Sequence, residues 1–352
     1  MTDASIALST FQQAYQANPY PTLKQRQQQL EALRHRLLAL QDALCEAAAA
    51  DFGQRDASET RLLELFPTLN SLNYSKKQLR SWLKPAKRHV SWLFQPAKNY
   101  VMYQPLGVVG IIVPWNYPIF LSLGPLIAAI SAGNKVLLKL SEYTPHTNAV
   151  LKQLIESALP DAAMVIEGDA QVAAAFSQLP FDHLLYTGST VIGRQVMQAA
   201  SQHLTPVTLE LGGKSPVLIG PDASIPACAA RIIFGKTANA GQTCVAPDYV
   251  LVPRAKLPEL IQQLQRQYQQ FYPQQTADSV PVTSLIHARQ QQRLLGYLQQ
   301  ARDRGADVLS CAPSSAAGGG GGARGGGGAG GGGGPGVRPS ARLSSRLGLI
   351  SG

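Results

Sequence analysis

Residues 107–115, with the sequence GVVGIIVPW, decide the fold. A continuous apolar run that ends at a proline is typical of a parallel strand covered on both faces. Apolar segments and turn residues then alternate along the chain, as strands and helices do in a doubly wound α/β sheet. The predicted elements that follow are a helix over Leu121–Ser131, a strand over 135–140 (KVLLKL), a helix over His146–Ala158, a strand over Ala163–Ile166, a helix near Val172–Gln178 and a strand over 183–186 (HLLY).

Helices and a short hairpin are predicted ahead of this sheet. Leucines at positions 30, 33, 37, 40 and 44 have three-four spacing, which predicts one amphipathic helix over Gln25–Ala50. A second helix is predicted over Ser58–Leu72. Two short strands, Val90–Phe94 and Tyr100–Gln104, flank the turn QPAKN and predict a β-hairpin.

The last part of the chain loses all periodicity. A glycine tract from Gly318 to Gly336 is interrupted only by Ala, Arg and Pro. Such a segment cannot bury enough apolar area to offset its backbone entropy, so residues 310–352 are predicted to be disordered. A flexible linker and an abnormal C-terminus from a shifted reading frame are the two explanations considered for it.

The composition excludes several classes of protein. The chain is 45% hydrophobic and 15% charged, which is a globular composition. It has no signal-peptide pattern and its apolar runs are too short to cross a bilayer, so a cytoplasmic protein without a membrane partner is expected. The four cysteines have neither disulfide nor metal-ligand spacing, so no metal site is predicted.

The net charge of +10 invites comparison with nucleic-acid-binding proteins. Four of the arginines lie after residue 309, however, and they lack repeated RGG spacing. The basic cluster Ser75–His89 contains Trp82, which could stack on a base. We interpret this cluster as a helix with a solvated basic face and a tryptophan in the core, and predict no nucleic-acid partner.

Three stretches carry the chemistry: IIVPWNYP (111–118), LELGGKSP (209–216) and NAGQTCVAPDYV (239–250). Cys244 is a thiol between small residues, where a carbonyl group could approach a thiolate nucleophile. The Asn116 amide could help to form an oxyanion hole. Glu210 lies between apolar neighbours, where desolvation would make its carboxylate a stronger general base. Each signal alone has a structural explanation, such as a buried thiol or a turn residue, but their occurrence together favours catalysis.

These stretches resemble the signatures of the aldehyde dehydrogenase superfamily over roughly residues 10–309. Within it the chain is most similar to the class 3-like branch and to coniferyl aldehyde dehydrogenases. The stretches that support this assignment are ADFGQRDASET (50–60), YQPLGVVGIIVPWNYP (103–118), LPFDHLLYTGST (179–190) and GQTCVAPDYVLVP (241–253). The resemblance implies oxidation of an aldehyde, coniferyl or another aromatic one, with NAD(P).

The resemblance also implies the residue roles. Cys244 matches the nucleophile, Glu210 the general base and Asn116 the oxyanion-stabilising amide. Lys139 and Glu142 match positions that hold the adenosine ribose, and Ser189 matches a phosphate contact. Further positions matched to cofactor binding are Pro114, Trp115, Gly168, Gly188 and Gly193. A glutamate at position 142 disfavours a 2′-phosphate, so NAD is the expected cofactor, with NADP possible.

The sequence departs from the family pattern after Cys244. The resemblance implies a later Glu-x-x-Gly-Pro segment that binds the nicotinamide ribose, and none is present. The elements through which complete relatives form homodimers are also absent, which leaves dimerisation of this chain in doubt. A truncated, inactive relative that retains only dinucleotide binding is therefore the alternative function.

The predicted organisation has three parts. Residues 1–211 form N-terminal helices and a Rossmann-like dinucleotide-binding domain. Residues 212–309 form a truncated α/β catalytic domain, and residues 310–352 form the low-complexity, disordered tail.

Overall fold

The computed structural model describes residues 3–273, 282–311 and 348–351. The chain divides into two compact units. The first unit comprises Met1–Ser215, Thr237–Asp248 and Val282–Ile286, and the second comprises Pro216–Lys236, Tyr249–Pro281 and His287–Gly352. The segments Thr237–Asp248 and Val282–Ile286 thus belong with the N-terminal part, whereas the sequence assigned them to the catalytic domain.

Nine α-helices and seven strands of the first unit lie before Ser215 in the described chain. The helices are α1 (Asp3–Ala17), α2 (Leu23–Ala39), α3 (Gln41–Asp51), α4 (Ala57–Thr60), α5 (Phe66–Trp82), α6 (Pro118–Ala132), α7 (Pro145–Ala158), α8 (Ala170–Ser177) and α9 (Thr190–Ala200). The strands are β1 (Ala86–Arg88), β2 (Asn99–Val101), β3 (Val108–Ile112), β4 (Lys135–Lys139), β5 (Ala163–Ile166), β6 (His183–Gly188) and β7 (Val207–Leu211). A π-helical turn, Arg61–Leu65, joins α4 to α5.

The predicted doubly wound sheet is present. Five parallel strands follow the order β5-β4-β3-β6-β7. Alternate side chains of β3 point to opposite faces of the sheet and pack in two separate cores. Val109 and Ile111 pack with apolar residues of α2, α5, α6 and α7, whereas Val108 and Ile112 pack with α1, α8 and α9. Helices therefore cover both faces, as the continuous apolar sequence of β3 requires.

Helix α1 was not predicted from the sequence, and it completes one face of this sheet. Ala4, Ala7, Leu8 and Phe11 are buried in the same core as Val108. Its buried residues have three-four spacing, but two of the four are alanines, so the apolar stripe is weak. Its burial depends on the sheet that it covers.

The N-terminal helices differ from the prediction at one point. The single helix expected over Gln25–Ala50 is two helices that meet at Leu40, whose φ of −108° and ψ of 9° are not helical. The leucines on either side of the break pack in one core, so their spacing gave no sign of a change in axis. The second predicted helix begins at Ala57 and continues through the π turn to Trp82.

The hairpin is also shifted from its predicted position. Strands β1 and β2 pair antiparallel, with Ala86 opposite Val101. The predicted strand Val90–Phe94 instead contains a 3₁₀ turn over Trp92–Phe94 within the connection, because Phe94 N donates to Ser91 O at 3.0 Å.

The tryptophan of the basic cluster is not in the core. Trp82 is 42% exposed, and its ring meets Tyr74 edge-on at 5.8 Å. It lies in the last turn of α5, three residues after the buried Leu79, so it follows the spacing of the buried residues and is nevertheless exposed. The prediction of a core tryptophan was therefore wrong.

The remaining helices and strands lie largely in the second unit. They are α10 (Ile225–Thr237), α11 (Leu257–Phe271), α12 (Ala288–Asp303), β8 (Ser215–Leu218), β9 (Pro247–Leu251), β10 (Asp307–Ser310) and β11 (Gly348–Ser351). Strand β8 pairs with β9, and apolar residues of α10 and α11, such as Ile233 and Leu264, share a core. No helix among the described residues combines the length and apolar composition needed to cross a membrane.

The structure describes only a small part of the predicted disordered tail. Residues 312–347, which include the glycine tract, lie outside the described residues. Strand β11 departs from the prediction, because its backbone pairs antiparallel with β10.

Candidate active site

The carboxyl ends of the five parallel strands place the predicted site residues along one edge of the sheet. Strands β3 and β6 are neighbours in the sheet. After β3 the chain continues to β4 and β5 on one side of β3, and it then crosses to β6 on the other side. Ligands bind in α/β sheets at such a switch in direction. The predicted residues that follow strand ends at this edge are Pro114, Trp115 and Asn116 after β3, Lys139 and Glu142 at β4, Gly168 after β5, Gly188 and Ser189 at β6, and Glu210 near the end of β7.

Hydrogen bonds bring the loop before α6 against the loop that contains Cys244. The Asn116 amide Nδ2 donates to the Gln242 carbonyl at 3.0 Å. The Tyr117 hydroxyl and the Thr243 hydroxyl lie 2.7 Å apart. Burial raises the pKa of Tyr117, so its hydroxyl remains a proton donor at neutral pH. Asn116 is thus held next to the residues that directly precede Cys244.

Cys244 differs from the other three cysteines in its exposure. Its residue is exposed, Cys228 is half-buried, and Cys45 and Cys311 are buried. Burial raises the pKa of the Cys45 thiol and raises that of Cys311 to about 11. The two buried thiols therefore have little thiolate at neutral pH, and Cys244 is the most accessible nucleophile of the four.

Selective alkylation provides a test of this difference. We expect limiting iodoacetamide at pH 7 to modify Cys244 at least roughly tenfold faster than Cys45 or Cys311, because alkylation requires an accessible thiolate. Peptide mass spectrometry of samples quenched over time measures the four rates. The variant Cys244→Ser should lose the fast adduct and keep the slow ones. Equal rates at all four thiols in folded protein would contradict the prediction.

Glu210 lies on β7, opposite Thr187 of β6, but its environment differs from the one expected. Leu209 and Leu211 pack against the core that contains α9, and strand alternation turns Glu210 to the other face. The residue is exposed. The predicted desolvation of this carboxylate is therefore wrong for this structure, since apolar neighbours in sequence lie on the opposite face of a strand.

Lys139 and Glu142 occupy contrasting positions at the end of β4. The Lys139 side chain is buried, and its Nζ donates to the Leu140 carbonyl at 2.6 Å. Burial lowers the pKa of Lys139, while the negative charge of Glu142 has the opposite effect. Glu142 itself is exposed. Together they place one cationic donor and one anionic acceptor at the same strand end, where ribose hydroxyls could bind.

The segment after β6 has the geometry of an anion site. Ser189 is the N-cap of α9, and its hydroxyl accepts a hydrogen bond from Ile192 N at 3.4 Å. The free N–H groups of a helix N-terminus attract phosphate. Gly193 allows this helix close to the sheet, because a Cβ there would lie 2.8 Å from Leu211 Cδ2. Gly168, with φ of 137°, has a conformation that other residues rarely adopt.

Gln242 is a structural residue that the sequence reasoning did not single out. Its Nε2 donates to the carbonyls of Asn239 (3.0 Å) and Ser284 (3.1 Å), and its Oε1 accepts from Ile286 N at 3.0 Å. Its own carbonyl accepts the Asn116 amide. A polar side chain within a glycine-containing loop, two residues before Cys244, was the signal that could have indicated this role.

Glu64 fixes the start of α6, directly after Asn116 and Tyr117. Its Oε2 accepts from Ile119 N at 2.7 Å and from Phe120 N at 3.0 Å, and Arg55 Nη1 lies 3.0 Å from its Oε1. Burial raises the pKa of the Glu64 carboxyl, while Arg55 and the two backbone donors oppose that effect. No local sequence pattern connects residue 64 with residue 119, so this contact could not be predicted.

Comparisons with known proteins show the family and the fold of this chain. The pattern described as "Aldehyde dehydrogenase family" matches residues 2–322. A protein of Pseudomonas aeruginosa named "Probable coniferyl aldehyde dehydrogenase" is 51% identical over 297 residues, which cover 84% of this chain and 62% of that protein. The chain therefore spans less than two thirds of that relative's length.

Solved structures resemble the fold closely. A Staphylococcus aureus structure titled "Substrate bound state of Staphylococcus Aureus AldH" has a TM-score of 0.83 and 34% identity, covering 88% of this chain and 67% of its own. A Mycobacterium tuberculosis aldehyde dehydrogenase complexed with NAD+ has a TM-score of 0.79 and 26% identity, covering 89% and 65%.

Proposed function

This chain belongs to the aldehyde dehydrogenase family, and we propose that it oxidises an aldehyde to a carboxylic acid with NAD(P) through a covalent intermediate on Cys244. The observation that carries the proposal is the contact between the Asn116 amide and the loop that precedes Cys244. It supports the proposal because Asn116, whose amide could donate to an oxyanion, lies against the loop that leads to an exposed thiol. The alternative is a chain that binds dinucleotide without turnover.

The residues of the site can act in a defined order. The Cys244 thiolate adds to the carbonyl carbon, and the Asn116 amide donates to the oxygen that becomes negative. NAD, when bound, would accept a hydride from this adduct, and the acyl group would then remain on Cys244 as a thioester. Glu210, which is exposed to water, accepts a proton from the water molecule that hydrolyses this thioester and regenerates the thiolate.

The cofactor positions support NAD as the dinucleotide. Lys139 and Glu142 would hold the adenosine ribose, and the N-terminus of α9 at Ser189 would receive the pyrophosphate. A carboxylate at position 142 would repel a 2′-phosphate, which favours NAD over NADP. The Mycobacterium tuberculosis relative was solved with NAD+. NADP remains the second candidate because Lys139 provides a nearby cation.

The substrate proposal depends on relatives. The Pseudomonas aeruginosa protein is named for coniferyl aldehyde. We therefore propose an aromatic aldehyde of the coniferyl type as the substrate class.

The four cysteines are free thiols, which supports the reducing, cytoplasmic location expected from the sequence.

NADH absorbance separates the two candidate functions. Protein at high concentration is mixed with NAD and coniferyl aldehyde, and AMP binding is measured by calorimetry on the same sample. Aldehyde-dependent NADH supports oxidation, whereas AMP binding without any NADH would favour the alternative.

A variant of Lys139 tests the adenosine site. Lys139→Met should weaken AMP binding by roughly tenfold, because a hydrogen bond from a charged group is lost. Thermal stability should be retained or increased, since a buried ammonium group is removed. Lys24→Met, at an exposed lysine of α2, is the matched control and should bind AMP normally. Unchanged AMP affinity in Lys139→Met would place the adenosine site elsewhere.

A further inference from the structure

Glu59 joins two distant segments of the first unit through its carboxylate. Its Oε1 accepts a hydrogen bond from Asn239 N, and its Oε2 accepts one from the Thr283 hydroxyl. Close by, Ser284 N donates to the Gln54 carbonyl at 2.9 Å. The start of α4 therefore fixes both the loop before Cys244 and the segment Val282–Ile286.

The loop that Glu59 anchors has an unfavourable backbone. Asn239 has φ of 51° and Ala240 has φ of 54°, both in the left-handed region. Asparagine tolerates this region, but alanine disfavours it by roughly tenfold in population. An external contact is needed to maintain such a conformation. The hydrogen bond from Asn239 N to Glu59 is one such contact, and it joins the backbone of the first left-handed residue to a helix outside the loop.

The same loop determines the geometry of the reacting groups. The Asn239 amide Nδ2 donates to the Asn116 carbonyl at 2.8 Å. The Asn116 amide in turn donates to the Gln242 carbonyl, two residues before Cys244. A change in the backbone at Asn239 and Ala240 would therefore separate Asn116 from Cys244.

We propose that Glu59 is a positioning residue, which holds the Asn239–Ala240 backbone in its left-handed conformation so that Asn116 and Cys244 stay together. The inference rests on the proposed function, since it concerns addition of Cys244 to an aldehyde. Glu59 acts through the loop and does not touch the substrate.

Reversible addition of an aldehyde can be measured without cofactor. The Cys244 Sγ bonds to the carbonyl carbon and the thiol proton passes to the oxygen, so the thiohemiacetal protects Cys244 from iodoacetamide. The readout is the benzaldehyde concentration that halves the alkylation rate of Cys244. We expect Glu59→Met to raise this concentration by roughly tenfold, the size of one lost hydrogen bond to a charged group.

Three further variants separate positioning from general stability. Glu59→Gln keeps an acceptor for Asn239 N and a partner for Thr283, so its value should stay within roughly threefold of the unaltered chain. Glu46→Met, at an exposed glutamate of α3, is the matched control and should have no effect. Ala240→Gly in the Glu59→Met background should restore protection, because glycine adopts positive φ without strain.

Hydrogen exchange of the peptide over 237–243 gives a second measurement. It should be faster in Glu59→Met than in the unaltered chain, while exchange of the β3 peptide stays unchanged. Benzaldehyde that fails to protect Cys244 in the unaltered chain would overturn the proposed function. Normal protection together with no effect of Glu59→Met would overturn only the positioning role, and so would a failure of Ala240→Gly to rescue.

Discussion

Replacing Cys244 by alanine should abolish aldehyde-dependent NADH formation, down to the rate without protein. The reason is that hydride leaves from the tetrahedral adduct that the thiolate forms, and alanine cannot form one. AMP binding should be unchanged, because the positions proposed for adenosine lie at β4 and α9. The measurement is NADH absorbance in a single-turnover assay, with calorimetry to show that the variant is folded.

Glu210→Gln should separate the two halves of the same reaction. Addition and hydride transfer do not need the base, so about one NADH per chain should form before the reaction stalls at the thioester. Mass spectrometry should then find the acyl group on Cys244. Glu46→Gln, at an exposed glutamate of α3, is a suitable control. Undiminished steady-state turnover in Glu210→Gln would mean that another group activates the water.

The sheet was predictable because its strands are buried on both faces. Residues 107–115 and Ala163–Ile166 are apolar runs bounded by turn residues, and the structure places β3 and β5 within them. The helices between these strands have clear signals at their ends, such as the N-cap Asp169 before α8. The local sequence therefore predicts the order of helices and strands. Connections between parallel strands are right-handed, and this rule favours a doubly wound sheet for that order.

The errors lie where distant contacts decide the structure. Helix α1 has three-four spacing at Ala4, Ala7, Leu8 and Phe11, but half of this stripe is alanine, and the helix packs against a sheet that lies about a hundred residues later in the sequence. Trp82 was assigned to the core because tryptophan is often buried, yet its partner is the exposed Tyr74. Neither outcome can be read from spacing along the chain alone.

The site was predictable to a similar extent. The Asn116 amide contacts the loop that precedes Cys244, so these two motifs lie side by side, and the catalytic roles of their residues stay predictions. Glu210 is exposed, because strand alternation separates it from the leucines on either side. Glu59 and Glu64 gave no local signal, since their hydrogen-bond partners at Asn239 and Ile119 lie far along the sequence.

Binding and turnover should differ sharply in a polypeptide of these 352 residues. The positions proposed for the adenosine half of NAD are all present at the sheet edge: Lys139, Glu142 and Ser189. The chain spans 62% of its Pseudomonas aeruginosa relative, and the glutamate that the family resemblance implies for the nicotinamide ribose has no counterpart after Cys244. We therefore expect weak but detectable binding of AMP and NAD.

Aldehyde oxidation at steady state should be slower by several orders of magnitude than in the Pseudomonas aeruginosa relative measured in parallel. Hydride transfer requires close placement of the nicotinamide, and a displacement of about 1 Å can cost roughly a hundredfold in rate. The adenosine contacts hold one end of the cofactor and leave the reactive ring free to move. Turnover comparable to the relative's would show that residues within this chain position the nicotinamide. A failure to bind AMP would show instead that Lys139, Glu142 and Ser189 do not form the adenosine site.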